Sequence, residues 1–147
     1  MFKRGKRDVI DLNHNNLSVK ILPLICYEII YSGKIFSKSD FDFIINISED
    51  GWFGTSIGPD QHFIHSIFRA IESGKYVLRS ANNGITAIIN PLGIVQNQLE
   101  LNKSGYVDFE KTKSIEPTIF AIYGNKIFGL IIFLYIFLIL SFIKIRI

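Results

Sequence analysis

Cys26 is the residue in this sequence whose surroundings most clearly allow chemistry. It is the single cysteine, and it closes an apolar run at residues 19–26 (VKILPLIC) that predicts a strand buried on both faces. A cysteine at the point where a strand gives way to a helix lies beside backbone N–H groups and the positive end of a helix dipole, which stabilise a thiolate. The same N–H groups can hold the oxyanion that forms when the thiolate attacks a carbonyl carbon. Cys26 is therefore either a nucleophile or, as lone cysteines more often are, a buried structural thiol.

Other ionisable side chains add little to this chemistry. Glu28 brings a negative charge close to Cys26, which opposes thiolate formation unless its carboxylate is turned toward a hydrogen-bond donor. His62 and His65 have a spacing that could share a metal on a helix, but with His14 as the remaining histidine and no second cysteine a zinc site is not completed. We therefore expect no metal and interpret His62 and His65 as ordinary helix residues.

The elements that must position Cys26 alternate between strands and helices. The pattern predicts the strand at residues 19–26, a short helix at 27–36, a strand at 43–48, a loop at 49–59, a helix from about 60 to its end at Gly74, and strands at 76–80, 85–90, 95–99 and 106–109. Pro23 favours an edge position or a bulge for the first strand. The alternation predicts an α/β fold in which the helix before Gly74 covers a sheet.

Hydrophobic residues make up 48% of the 147, and they belong partly to the sheet and partly to an apolar run near the C-terminal end. Residues 127–143 contain no charged side chain. At the rise of a helix they span about 26 Å, at the short end of what crosses a hydrocarbon core, so we predict a transmembrane helix. Lys144 and Arg146 follow this run and favour a cytoplasmic position for its end.

The net charge of +3 does not indicate a nucleic-acid binder. Six of the 16 basic residues lie near the two ends, at Lys3, Arg4, Lys6, Arg7, Lys144 and Arg146, whereas acidic residues outnumber basic ones within residues 8–126. Residues 1–18 are therefore predicted to be a polar, basic segment, and they lack the apolar stretch of a signal peptide. We expect no nucleic acid among the partners.

Three motifs resemble the C-terminal half of the nitrilase-superfamily (CN hydrolase) domain: ICYEII at residues 25–30, NISEDGWFG at 46–54, and GPDQHFIHSIFRAIESGKYVLRSANNGIT at 58–86. More narrowly, they resemble the apolipoprotein N-acyltransferase family of the bacterial inner membrane, which moves an acyl chain from a phospholipid to the N-terminal cysteine amine of a lipoprotein. The resemblance implies a partial αββα sandwich at residues 19–120, followed by one transmembrane helix at 127–143. It also implies a domain on the periplasmic side.

The resemblance assigns roles to five residues of this sequence. The family uses a Glu-Lys-Cys triad without a cofactor, and Cys26 matches the cysteine that forms a thioester with the acyl group. Tyr27 and Glu28 match the residues that follow the nucleophile, and Trp52 with Phe53 matches the aromatic pair of the loop at the active-site mouth. These four residues are expected to bind substrate.

The triad glutamate and lysine are missing from this chain. In the family they belong to segments well upstream of the cysteine, and only 25 residues precede Cys26. Lys20 lies on the same strand, about 20 Å from Cys26 by strand geometry, and cannot replace the lysine. The chain is therefore expected to be a fragment that is inactive alone and needs a separate chain to supply the upstream half.

Two alternatives stay open on the sequence. One is a non-catalytic remnant of a split gene. The other is a membrane-anchored amidase of the nitrilase superfamily that uses Cys26 on a small carbon–nitrogen substrate. Trp52, Phe53 and the terminal apolar helix favour the acyltransferase lineage over the amidase, but they do not separate an enzyme portion from a remnant.

Overall fold

The computed structural model describes residues 8–14, 17–33, 40–110 and 114–145, and these form one mixed sheet with helices. The six strands within these ranges lie side by side in sequence order: β1 Ile10–His14, β2 Leu17–Ile25, β3 Phe43–Glu49, β4 Tyr76–Asn82, β5 Thr86–Ile89 and β6 Val95–Leu99. β2, β3 and β4 are parallel, and the outer strands are antiparallel to their neighbours. The carboxyl ends of the three central strands therefore meet at one edge of the sheet.

One face of the sheet is covered by α1, which spans Gly58–Ser73. Side chains on alternate strand positions point to this face, so Leu22, Leu24 and Ile44 are fully buried there. They share a core with Phe63 and Ala70 of α1 and with residues of β4 and β5. At about 1.5–3 kcal/mol for each large apolar side chain, this burial is the main force that holds α1 to the sheet.

The opposite face of the sheet is covered at one end only. Near the amino ends of the parallel strands, the ring of Phe109 packs against Phe43 and Tyr76, with ring centroids 5.6 and 5.2 Å apart. At the carboxyl ends, Ile25 and Ile47 are register partners and are 57% and 54% exposed. The described residues thus leave an apolar patch on this face, close to Cys26.

Most of the predicted elements are confirmed, with boundaries shifted by one or two residues. Two predictions are wrong. Residues 106–109 form no strand, because this segment packs through Phe109 across the sheet and does not pair along its edge. After Cys26 there is only a five-residue 3₁₀ helix, Cys26–Ile30; Gly33 then adopts a positive φ of 67° and donates its N–H to Glu72. The last residues of the predicted helix, 34–36, lie outside the described residues.

Pro23 shows how the sheet accommodates a residue without an N–H donor. The described pairing of β1 with β2 ends at Ile21, so β2 has β3 as its neighbour at the level of Pro23. Among the described residues, this part of β2 is therefore an edge, as Pro23 led us to expect. β1 itself was not predicted, because its short, polar sequence IDLNH has no apolar run.

The apolar C-terminal run forms α3, Lys126–Ile145, which follows the short helix α2, Ile119–Tyr123. Its 20 residues give a length of about 30 Å. Its side chains are exposed from Phe128 to Leu140 and pack on no other described element along that stretch. By length and composition, α3 can cross a membrane.

Gly74 ends α1 and is expected to tolerate no side chain. Its φ is 65°, and a Cβ atom there would lie 2.4 Å from the carbonyl oxygen of Ile115. Gly74→Ala is therefore expected to lower the free energy of unfolding by about 1–3 kcal/mol, measured by urea unfolding in detergent. Gly129→Ala is the matched control, since a Cβ at Gly129 meets nothing within 4 Å. Equal stabilities for the two variants would contradict the prediction.

Candidate active site

Cys26 lies at the carboxyl end of β2, directly after Ile25, as the sequence predicted. Its side chain is partly exposed, and its φ of 48° places it in the left-handed region. This conformation is unfavourable for any residue with a Cβ and is found mostly where the surrounding structure enforces it. The position therefore combines access for a substrate with a strained backbone.

A buried polar cluster lies under Cys26, where the inward face of the sheet changes from apolar to polar. Its members come from β3, the loop after it, α1 and β4: Asn46, Ser48, Asp50, His62, Ser66 and Arg79. Along β3 the change occurs on a single face, because Ile44, Asn46 and Ser48 are the alternate, inward-pointing residues. The carboxyl edge of the sheet is thus built for polar contacts.

Arg79 is the centre of this cluster, and its guanidinium is fully engaged. Nη2 donates to Oδ2 of Asp50 at 2.6 Å, and Nε donates to the carbonyl oxygen of Ile85 at 3.2 Å. Nη1 donates to Oδ1 of Asn46 and, at 3.2 Å, to Oγ of Ser48. A buried guanidinium of this kind is tolerated because its charge is paired and its donors are satisfied.

His62 connects this cluster to Cys26. Its Nδ1 lies 2.8 Å from Oδ1 of Asp50, and its Nε2 lies 3.3 Å from the carbonyl oxygen of Cys26. The same carbonyl oxygen accepts a hydrogen bond of 3.3 Å from Nδ2 of Asn46, which also donates to the carbonyl oxygen of Leu24. The backbone of Cys26 is therefore held from below by two side chains.

Burial and pairing act in opposite directions on the charges of the cluster. Burial raises the pKa of Asp50, but the hydrogen bond with His62 and the charge of Arg79 outweigh it, so the pKa of Asp50 is below its ordinary value. Burial lowers the pKa of Arg79, and the nearby Asp50 carboxylate opposes that effect. Both groups are charged at neutral pH and form a buried ion pair.

Gly84 is required by this ion pair. A Cβ atom at Gly84 would lie 2.1 Å from Oδ2 of Asp50, the oxygen that binds Arg79. The turn after β4 therefore packs its backbone directly against the carboxylate. Only glycine leaves the space that Asp50 occupies.

The four predicted substrate-binding residues differ in their contacts and in their exposure. Tyr27 and Phe53 flank His62, with ring centroids 5.7 and 5.6 Å from the imidazole. Trp52 is 87% exposed at the tip of the loop. Glu28 accepts the N–H of Ile25 at 2.9 Å, so its carboxylate is turned toward a hydrogen-bond donor.

Local hydrogen bonds fix the loop that carries Trp52 and Phe53. The Glu49 carboxylate accepts the N–H of Gly51 at 2.8 Å and the side-chain amide of Asn82 at 2.5 Å, and these bonds lower its pKa. The ring of Phe53 packs on Gly58 at the start of α1, where a Cβ would lie 2.5 Å from the ring. The aromatic loop therefore has a defined base below its exposed tip.

Sequence reasoning missed Asn46, Asp50 and Arg79 and interpreted His62 as an ordinary helix residue. His62 is only 2% exposed and bonds to two elements of the sheet edge, so that interpretation is wrong. One sequence signal could have indicated the cluster: Asn46 and Arg79 occupy inward positions of otherwise apolar strands, where an unpaired polar group is unfavourable. No group of three His, Cys, Asp or Glu side chains that could hold a metal occurs in the described part of the chain.

Comparisons with known proteins agree on one family. The carbon–nitrogen hydrolase family matches residues 1–116. Among curated proteins, this chain is 44% identical to the apolipoprotein N-acyltransferase of Rickettsia bellii over 140 residues, which cover 94% of this chain and 28% of the relative. It is 40% identical to the protein of that name from Rickettsia typhi over 126 residues, 84% of this chain and 25% of the relative. The chain thus spans about a quarter of the length of these relatives.

Among solved structures, a mutant of the amidase from Nesterenkonia sp. AN1 is similar to this chain in fold. The TM-score is 0.51 at 15% sequence identity, and the match covers 68% of this chain and 41% of the amidase. That structure carries an acrylamide adduct on the amidase's active-site cysteine. At this identity, the likeness concerns the fold alone.

Proposed function

Because this chain belongs to the carbon–nitrogen hydrolase family, we propose that it is the cysteine-bearing part of an apolipoprotein N-acyltransferase. In this role Cys26 receives an acyl chain from a phospholipid and passes it to the N-terminal cysteine amine of a lipoprotein. The observation that carries the proposal is the placement of Cys26, partly exposed at the carboxyl edge of the sheet, with its backbone held in the left-handed region. Similarity to proteins of that name over most of the chain supports the substrate class.

The proposed reaction has two steps. The Cys26 thiolate attacks the ester carbonyl of the phospholipid, a C–S bond forms, and the C–O bond breaks to release a lysophospholipid. The lipoprotein amine then attacks the thioester, a C–N bond forms, and the thiolate leaves. A covalent intermediate divides one difficult transfer into two easier ones. The general-base glutamate and the lysine that stabilises the tetrahedral intermediate come from the upstream half of the domain.

Tyr27, Trp52 and Phe53 are proposed to receive the acyl chain beside Cys26. Tyr27 directly follows Cys26, Tyr27 and Phe53 pack against His62, and Trp52 is largely exposed. Each acyl methylene buried against such rings contributes about 0.8 kcal/mol. Glu28 shapes the mouth of the site by capping the backbone next to Cys26. This apolar mouth, together with α3, favours a lipid substrate over a small amide.

The upstream half of the domain is proposed to pack on the uncovered face of the sheet. Ile25 and Ile47 are exposed there next to Cys26, whereas α1 covers the other face. A second sheet on this patch gives the αββα sandwich and brings the remaining triad residues close to the thiol. The polypeptide of residues 1–147 alone is therefore proposed to be inactive, since its thiol lacks the base and the lysine.

α3 is proposed to anchor the domain in the bacterial inner membrane. Its apolar length suits one crossing, and Lys144 and Arg146 after the apolar run favour a cytoplasmic end. The catalytic domain then lies on the periplasmic side, where Trp52 and Tyr27 can meet lipid acyl chains.

A chimera tests the proposal. The matching C-terminal quarter of the Rickettsia bellii protein is replaced by residues 1–147, and acyl transfer from phospholipid to a lipopeptide is measured in membranes. We expect transfer by the chimera, no transfer by residues 1–147 alone, and loss of at least about 10³-fold in the matched Cys26→Ser chimera.

The other outcomes of this experiment distinguish between the alternative functions. A chimera that inserts and folds but transfers no acyl chain would favour the non-catalytic remnant. Transfer by residues 1–147 alone that is lost on Cys26→Ser would contradict the need for an upstream half. Hydrolysis of small amides without acyl transfer would favour the membrane-anchored amidase.

A further inference from the structure

The main-chain carbonyl of Cys26 is the point where the buried cluster contacts the proposed nucleophile. We propose that His62 and Asn46, aligned by Asp50 and Arg79, are positioning residues that hold Cys26 in its left-handed conformation and thereby present its thiol to the acyl donor. The catalytic consequence of this inference rests on the proposed acyl transfer. The restraint on the Cys26 backbone does not depend on it.

The strain at Cys26 calls for such a restraint. A residue with a Cβ at a φ of 48° is in a sparsely populated region and persists only when neighbouring groups enforce it. Within Cys26–Ile30 the 3₁₀ helix is too short to do this alone. The two hydrogen bonds on the Cys26 carbonyl, from Asn46 Nδ2 and from His62 Nε2, act on the peptide unit that must turn if the residue relaxes.

The contacts of His62 suit positioning and not proton transfer from the thiol. A ring nitrogen that hydrogen-bonds a carbonyl oxygen must carry a proton, so Nε2 is a donor to the main chain of Cys26. Nδ1 lies 2.8 Å from a carboxylate oxygen of Asp50, which can only accept, so Nδ1 also donates and both ring nitrogens carry a proton. With both nitrogens engaged, the imidazole has no acceptor site directed at the sulfur. His62 therefore acts through the backbone of Cys26.

Asp50 and Arg79 make this arrangement rigid. One carboxylate oxygen of Asp50 orients the imidazole while the other binds Arg79 at 2.6 Å. Arg79 in turn binds Oδ1 of Asn46, which leaves the amide nitrogen of Asn46 as the donor to Cys26. Both groups that hold the carbonyl are thus oriented by the same buried ion pair. Tyr27 and Phe53 pack against the imidazole, so the restraint on Cys26 is in contact with two of the proposed acyl-binding residues.

Two substitutions of His62 separate positioning from general packing. Glutamine can place an amide N–H near the position of Nε2, whereas asparagine reaches only as far as Nδ1 and loses the contact with Cys26. His65→Asn, one turn further along α1, is the matched control, because His65 is not part of the buried cluster. Asn46→Asp is a second probe, since it keeps the shape and the bond from Arg79 but removes the donor to the carbonyl oxygens of Cys26 and Leu24.

The first readout is the backbone of Cys26 itself. Because the sequence has one cysteine, labelling with ¹³C,¹⁵N-cysteine gives one set of NMR signals, whose Cα and Cβ shifts report φ and ψ. In the full chain in micelles, we expect left-handed shifts for the parent, His62→Gln and His65→Asn. We expect ordinary, negative-φ shifts for His62→Asn and Asn46→Asp. Left-handed shifts in folded samples of both of the last two variants would overturn the proposal.

The second readout is acyl transfer by the chimera with the Rickettsia bellii protein. His62→Asn is expected to lower kcat about 10-fold with little change in KM, because phospholipid binding is intact while fewer molecules present the thiol; His62→Gln is expected to recover most of the loss. A shifted Cys26 backbone without a fall in kcat would overturn the catalytic consequence. If the NMR shifts change as expected but the chimera without a substitution shows no acyl transfer, the proposed function is refuted. The backbone restraint is then still supported.

Discussion

Replacing Arg79 with glutamine is expected to lower the free energy of unfolding by about 3–5 kcal/mol. Glutamine is polar but ends where the guanidinium begins and carries no charge, so the fully buried Asp50 carboxylate loses the bond from Nη2 and its counter-ion. The bond from Nη1 to Asn46 is lost in the same step. Pulse proteolysis across a urea series in detergent measures this loss, because cleavage reports the unfolded fraction of the sheet domain.

Three further variants identify the cause of that loss. Lys103→Gln also replaces a basic side chain with glutamine, at an exposed loop position, and is expected to stay within about 0.5 kcal/mol of the parent. Asp50→Asn should also lower the free energy of unfolding, since it leaves the Arg79 guanidinium buried without its charged partner. The double variant Asp50→Asn with Arg79→Gln should cost clearly less than the two single losses together. Additive losses would show that Arg79 and Asp50 do not stabilise the fold as a pair.

The direction in which the pKa of Asp50 is shifted also determines how the stability of the fold changes with pH. The folded pKa of Asp50 lies below its ordinary value of 3.8, so the unfolded chain takes up the proton first as pH falls. The stabilisation by Asp50 is therefore fully present above pH 3.8 and is lost as pH falls through the folded pKa. The ion pair stays intact across the neutral range in which acyl transfer would operate.

The sequence predicted well those elements whose side-chain pattern is set by burial. β3 is confirmed almost residue for residue, because a run such as FIINIS leaves few alternatives to a buried strand. The end of α1 at Gly74 is also confirmed, since a left-handed residue closes the helix there. These features depend on local chemistry, which a single sequence carries.

The sequence did not predict features that depend on contacts distant along the chain. β1 has no apolar run, and it is a strand because it pairs with β2. The segment at residues 106–109 has strand-like residues, but Phe109 contacts Phe43 and Tyr76 instead of a neighbouring strand. The buried cluster is a third case, because His62 and Arg79 meet only when α1 folds over β4. In each case the partner is fixed by the fold.

Replacing Cys26 with glycine is expected to abolish acyl transfer by the chimera and yet give a more stable domain than replacing it with alanine. Both variants lack the thiol, so both should lose at least about 10³-fold in transfer. Alanine keeps the Cβ and therefore the cost of the left-handed backbone, whereas glycine adopts a φ of 48° without that cost. We expect Cys26→Gly to exceed Cys26→Ala by about 1 kcal/mol in free energy of unfolding.

At Ser80, in the same sheet, we expect the opposite order of stability for the glycine and alanine variants. It is exposed at an extended position of β4, where glycine weakens a strand, so Ser80→Gly should be less stable than Ser80→Ala by about 0.5–1 kcal/mol. The reversal of order between the two positions is the decisive measurement, since any general effect of glycine on the unfolded chain acts equally at both. If alanine were the more stable replacement at both sites, Cys26 would not be strained and its restraint by His62 and Asn46 would lose its purpose. If the order reverses, the chain keeps a destabilising residue at position 26, although selection for stability alone would favour glycine there.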